Sequence, residues 1–407
     1  MTAPLAGIRI LDLTRLLPGN YATLLLAGLG AEVIKIEDPG SGDGIRWVIP
    51  YTPGGDSGPH AVLNRGKRSV AIDLKRGEGR DLLLELVGES QVLIDAFRPG
   101  VLDRLGLSGH ELAAANPNLV HITIDAFGSG GPYQDLPAHD LNAAGLAGVI
   151  GLARDGSGRP AMPSVPVIDH MAGLHAVVAV FAGLRQVTES SGGFRAEVAM
   201  SDSAASMLTL LGGYFAATGS SPAAPELLSG QLASYGLYEC ADGLWLTVGA
   251  LEPKFFARLT ELMGLSELTT IQFDPAQQEW IRSRIAQVFA TRERAAWLAL
   301  LANEDTCVGP VNDVAAAFAD SNLSERDIIG QITFRDGMVA PVIRAVPWLL
   351  ADPSLDSTSD ARRAVVDPTS ARPAPQLGEQ TTEVLSEMGV AAERIAQLRS
   401  GGVVGGR

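Results

Sequence analysis

The chain has 407 residues, 46% of them hydrophobic, and a formal net charge of −15. That length suits one large domain plus a smaller one, and the acidic balance argues against nonspecific binding to nucleic acid or to an anionic membrane surface. Two cysteines, Cys240 and Cys307, without a C-x-x-C pair, support neither a disulfide framework nor a zinc site.

Residues 7–127 alternate short apolar strands with helices. Strands are predicted at 8–13, 31–37, 69–74, 91–97 and 119–127, with helices near 20–29 and 77–87. Such alternation predicts a parallel sheet with helices on its faces. Ligands then bind beyond the carboxyl ends of the strands. The residues there are Thr14-Arg15, Asp38-Pro39-Gly40, Arg98-Pro99-Gly100 and the turn 128–132, GSGGP. FRAEVAMSD (194–202) reads as a further strand, followed by a helical run to about 218. Residues 1–190 are read as the large domain, with 336–407 returning to it. Residues 191–224 are read as a linker, and 225–335 as a small α+β domain. In the small domain Asp242-Gly243 between alternating apolar runs signals a hairpin, and helices follow near 252–264, 279–290 and 293–304. The start of the chain lacks the pattern of a signal peptide and no apolar run reads as a membrane span, so the expected location is cytoplasmic.

The first strand turns through LTRLLPGNYA, with one glycine, and Gly66-Lys67 is followed by Arg68. NAD, FAD and ATP fingerprints therefore fail. Neither H-E-x-x-H nor G-x-S-x-G occurs, so metal-dependent and serine-hydrolase chemistry find no motif. Arg65, Lys67 and Arg68 place three cations in five residues of an acidic chain. They read either as a solvated turn or as a polyanion seat that Arg98 joins from another strand end. His139 and Asp169 each precede an Ala/Gly-rich helical run. Singly they read as a turn histidine and a helix cap. Together, near a phosphate seat, they suit proton transfer or a carboxylate nucleophile.

Several stretches together resemble the family III CoA-transferase superfamily: GIRILDLTRLLPGNYATLLLAGLGAEVIKIEDP, NRGKRSVAIDLK, DAFRPGVLDRLGL, FGSGGPY and PQLGEQTTEVLSEMG. PAHDLNAAGLAG and YECADGLWLTVGALEPKFF are similar to its alpha-methylacyl-CoA racemase branch. VIDHMAGLHA holds Asp169 where both branches keep an aspartate, without the Gly-rich run that often follows in racemases.

The resemblance implies a Rossmann-like large domain, a small α+β domain and an interlocked homodimer. It implies an acyl-CoA thioester as substrate, with CoA as its handle and no separate cofactor. Arg65, Lys67, Arg68, Arg98 and Asp140 are then expected to bind the CoA portion. His139 and Asp169 would exchange a proton with opposite faces of the alpha carbon, and Glu252 would orient His139. Backbone N–H groups at the helix start beside Asp169, or in the turn 128–131, would hold the enolate oxygen. A CoA-transferase using Asp169 as nucleophile is the alternative, and a non-catalytic acyl-CoA-binding protein a third reading.

Overall fold

The computed structural model describes residues 3–406 except 156, 190, 191, 222–227, 229, 347–368, 370 and 371. It divides into two compact units. One comprises Met1–Ile150, Met162–Thr209 and Ser321–Arg407, the other Gly151–Ala161 and Leu210–Asp320.

The first unit is built on β1 (Arg9–Leu13), β2 (Glu32–Glu37), β3 (Arg68–Ala71), β4 (Val92–Asp95), β5 (Val120–Asp125) and β6 (Phe194–Ala199). All pairs are parallel, in the order β3-β2-β1-β4-β5-β6. Side chains alternate between faces, and both faces are apolar, as a sheet covered by helices on each side requires. Ile10, Val33, Val92 and Ile122 pack on the face shared with helices Leu16–Gly28 and Val167–Glu189. Leu11, Ile34 and Leu93 pack on the other face with Leu83 and Leu86 of helix Gly77–Gly88. The C-terminal helices Thr381–Glu387 and Ala392–Ser400 close that second face through Val384, Leu385 and Ile395.

Three sequence readings change here. The helix expected near 20–29 begins at Leu16, because a proline in a helix's first turn gives up an N–H that has no partner there anyway. The bounds 191–224 are too wide for a linker: the strand read at 194–202 and the helical run to about 218 are present as β6 and helices Met200–Ser206 and Thr209–Thr218, while 191 and 222–224 lie outside the described residues. Helix Val167–Glu189 has the length and apolar content of a membrane span, contrary to the reading that no such run exists. Its Ile168, Ala172, Ala176 and Val180 are buried in the sheet's core.

The second unit holds an antiparallel sheet of β7 (Tyr235–Glu239), β8 (Trp245–Gly249) and β9 (Val308–Pro310). The Asp242-Gly243 turn joins β7 to β8, with Gly243 at φ +75°, a value that favours glycine. Helices Pro253–Leu262, Gln278–Phe289 and Arg294–Leu301 pack over it around Tyr238, Phe256, Phe289 and Trp297. This unit ends at Asp320, not near 335. The hairpin of β10 (Ile329–Thr333) and β11 (Val339–Ile343) belongs to the first unit.

Candidate active site

His139 is the N-cap of helix Asp140–Leu146. Asn142 reaches back to accept the His139 backbone N–H at 3.0 Å, half of a capping box. This fixes the backbone, while the residue as a whole stays exposed. Asp140, the next residue, points elsewhere. Its Oδ1 accepts the backbone N–H groups of Ile168 at 2.7 Å and Asp169 at 2.9 Å. Asp140 therefore caps helix Val167–Glu189 from another part of the chain, a role in place of the CoA contact expected of it.

Asp169 lies in the first turn of that helix, half-buried. A helix start favours a carboxylate anion, yet burial, followed by the negative charge of Asp140, pushes the Asp169 carboxyl up to about 6. The His170 and His139 imidazoles pull the other way and do not prevail. That mutual effect brings His139, Asp140, Asp169 and His170 into one electrostatic cluster. The His170 Nδ1 lies 2.7 Å from the Pro166 carbonyl, and its ring meets Tyr21 edge-on at 4.7 Å. Gly173 permits this approach. A Cβ there would stand 2.8 Å from the Pro18 carbonyl oxygen and 3.0 Å from the Tyr21 ring.

Most of the N–H donors expected to hold an enolate oxygen are already engaged. Asp140 occupies those of Ile168 and Asp169. In the glycine turn, Asp125 accepts from Gly128, Glu197 from Ser129 and Gln134 from Gly130.

The polyanion seat on residues 65–68 is also corrected. Arg65 is fully buried and donates to the Val62 and Ile343 carbonyls and to the Thr369 hydroxyl. Arg68 is 8% exposed and pairs with Glu32, Glu383 and Glu387. Lys67 is 3% exposed, and its Nζ donates to Asp12, Thr23 and Asn64. Burial pushes the Lys67 ammonium down to about 8, with Asp12 opposing. Lys35, Asp12 and Asp43 complete this buried network. Burial alone would raise the Asp12 carboxyl, but Lys35 and Lys67 outweigh it and hold the group below its usual range. Asp43 also accepts the N–H of Leu16 at 3.0 Å. Leu16 has φ +60°, a conformation unfavourable for a branched side chain, so the network secures a strained turn at the end of β1.

The exposed cations at the strand ends are Arg15, Lys75 and Arg98. Arg15 sits over the Phe97 ring at 5.8 Å, and the Lys75 Nζ lies 3.7 Å from an Asp38 oxygen. These residues, Arg98 excepted, line a cavity of about 170 Å³ floored by Leu13, Ile36 and Leu74. It opens where β1 and β4 adjoin, the point at which the strand order reverses and such sheets bind ligands. Its apolar walls carry the Arg15 and Lys75 cations beside the Asp38 and Asp73 carboxylates, a mixed rim that suits a flat ring with polar groups at its edge. Arg15 and Asp38 stood among the strand-end residues in the sequence. Lys75 follows the third predicted strand as a single cation, without the charge density that marks the 65–68 run.

Glu252, in the second unit, is the exposed N-cap of helix Pro253–Leu262, and its side chain makes no bond to that helix start. Burial, then the nearby Glu252 charge, raises the Cys307 thiol. Cys307 lines a cavity of about 640 Å³ with Leu228, Tyr235, Leu237 and Val248.

The description "CoA-transferase family III" matches residues 5–381. The chain belongs to this family. It is 30% identical to alpha-methylacyl-CoA racemase from Mus musculus, over 98% of this chain and 97% of that protein. It is also 30% identical to succinate–glutarate CoA-transferase from Agrobacterium fabrum, over 95% and 96%. The crystal structure of a CAIB/BAIF family protein from Brucella suis superposes with a TM-score of 0.77 at 28% identity, covering 95% of this chain and all of that one. Family III membership accounts for the parallel sheet, and makes the chain an enzyme of a superfamily with both racemase and transferase members.

Proposed function

We propose that this family III enzyme is an acyl-CoA racemase or epimerase. It inverts the alpha carbon of 2-methyl-branched acyl-CoA thioesters by two-base 1,1-proton transfer. The observation that carries this reading is the Asp169 carboxyl, pushed up to about 6 in a cluster with His139. Asp169 then populates both protonation states near neutrality, as a group that must both accept and donate a proton requires.

In the proposed reaction one group takes the alpha hydrogen as a proton, and the electron pair moves into the thioester to form an enolate. The other group, already protonated, delivers its proton to the opposite face. The roles exchange for the other enantiomer. Glu252 is proposed as the carboxylate that stabilises the imidazolium. For the CoA handle we propose the strand-end cavity, with Arg15, Lys75 and Arg98 toward the phosphates. The test is incubation with a 2-methylacyl-CoA in deuterated water. Deuterium is expected at the alpha carbon, and its absence contradicts the proposal.

The second reading is a CoA-transferase in which Asp169 attacks the thioester. Transferase relatives at equal identity favour it. It leaves His139 without a task, which is why it ranks second.

The assembly we propose is a homodimer. In support, Leu174, Val178 and Phe181 form an exposed apolar stripe along helix Val167–Glu189. Sedimentation is expected to give a dimer, and a fully active monomer contradicts this.

A further inference from the structure

Asp125 ends β5, and Glu197 lies in the adjacent β6, opposite Thr123. Asp125 is 8% exposed, and its Oδ2 meets no hydrogen-bond partner among the described residues. Its other oxygen accepts the Gly128 N–H at 2.6 Å. Glu197 holds the next residue: Oε1 accepts the Ser129 N–H at 2.9 Å, and Oε2 accepts the Ser129 hydroxyl at 2.8 Å. Two carboxyl groups thus grip consecutive residues of a turn whose Gly128 and Gly130 have φ of +76° and +79°. The edge-on contact of Phe127 with Tyr133 at 5.8 Å ties the ends of the turn together. The chain then runs on to His139.

A buried carboxylate oxygen without a donor is costly. A proton placed between the two acids removes the anomaly, because the Asp125 O–H then donates to the Glu197 carboxylate and one negative charge remains where there were two. We propose that Asp125 and Glu197 share a single proton, and that this proton latches the glycine turn 127–133 and releases it as the solution turns alkaline.

The surrounding charges agree. Burial, the hydrogen bond that a protonated Asp125 makes to Glu197, and the charges of Glu197 and Asp202 push the Asp125 carboxyl up to about 7, against the pull of the Gly128 N–H. Glu197 is held below its usual range, despite some burial, by the bond from Asp125, the two bonds from Ser129 and the charge of Arg195. The proton therefore resides on Asp125. Folded Asp125 keeps it to higher pH than the unfolded chain does. The latch is at full strength in acid and is lost as pH rises through about 7.

The test is amide hydrogen exchange of the 126–134 segment, corrected for intrinsic rates, at about pH 6 and about pH 8.5. Wild-type protection is expected to fall by about tenfold between them. In Asp125→Asn the amide donates to Glu197 at every pH, so the segment should keep its acid-side protection throughout. Equal pH-dependent loss in both proteins, or no loss in the wild type, overturns the proposal. Should the variant fail to fold, ¹³C titration of the wild-type Asp125 carboxyl decides: a midpoint near 7 supports the latch, and one near the ordinary aspartate value overturns it.

Discussion

The Asp140 carboxylate accepts the backbone N–H of Asp169 at 2.9 Å across 29 positions of sequence. One side chain thereby ties the helix that begins at His139 to the helix that carries Asp169, and charges the space beside the Asp169 carboxyl. The two effects separate by substitution. Asp140→Ala removes the cap and is expected to cost about 0.5–2 kcal/mol in denaturant unfolding. Asp140→Asn keeps an oxygen for both N–H groups but removes the charge. It should preserve most stability and lower the Asp169 pKa from about 6 toward its usual value. A ¹³C titration of the Asp169 carboxyl reads this, and an unchanged midpoint contradicts it.

Asp169 also sets a pH dependence of folding. Its folded carboxyl holds a proton to about pH 6 against an ordinary value of 3.8, so between those values the native state binds more protons than the unfolded one. Stability contributed by this group is therefore present in acid and falls as pH rises through that window. Asp169→Asn should remove this group's share of the slope and leave that of Asp125. His170→Gln should carry it to higher pH, because it removes a group that favours the carboxylate. Midpoints of urea unfolding at a series of pH values check both.

The cations divide into two classes with different predicted phenotypes. Lys67→Met strips a donor from Asp12, Thr23 and Asn64 in a buried site, and is expected to destabilise by about 3–5 kcal/mol. Arg65→Ala should likewise act on folding. Arg15→Ala and Arg98→Ala should leave folding intact and weaken CoA binding, with a penalty that shrinks as salt rises. Titration calorimetry at two salt concentrations, paired with thermal unfolding, sorts them. Salt-dependent affinity loss in Lys67→Met without destabilisation would reverse the assignment.

The sheet was legible because short, nearly continuous apolar runs such as IRILDL and EVIKIE can bury both faces only between helices. His139 and Asp169 stood out as candidates before two Ala/Gly-rich runs, but their separate roles, and Glu252 altogether, came only from the resemblance. A single histidine before a helix carries too little pattern to fix a role, and nothing local tells that Asp140, not Asp169, supplies the cap. The 65–68 run misled for a related reason. Charge density in sequence says nothing about burial, and here Asp12, the Ile343 carbonyl and Glu387, all distant in the chain, engage those three cations. Cations spread over separate strand ends, as Arg15, Lys75 and Arg98 are, form no run to notice.

The most direct measurement of the central claim is deuterium uptake from each pure enantiomer of a 2-methylacyl-CoA by His139→Ala and Asp169→Ala, followed by chiral analysis. The proposed two-base reaction predicts mirror-image defects. Each variant should exchange the alpha hydrogen of one enantiomer without inverting it and fail on the other, with rate losses of about 10²–10⁴. Full racemisation by His139→Ala at the wild-type rate would contradict it. So would a wild-type enzyme that transfers CoA to a free carboxylic acid while leaving the alpha hydrogen unexchanged.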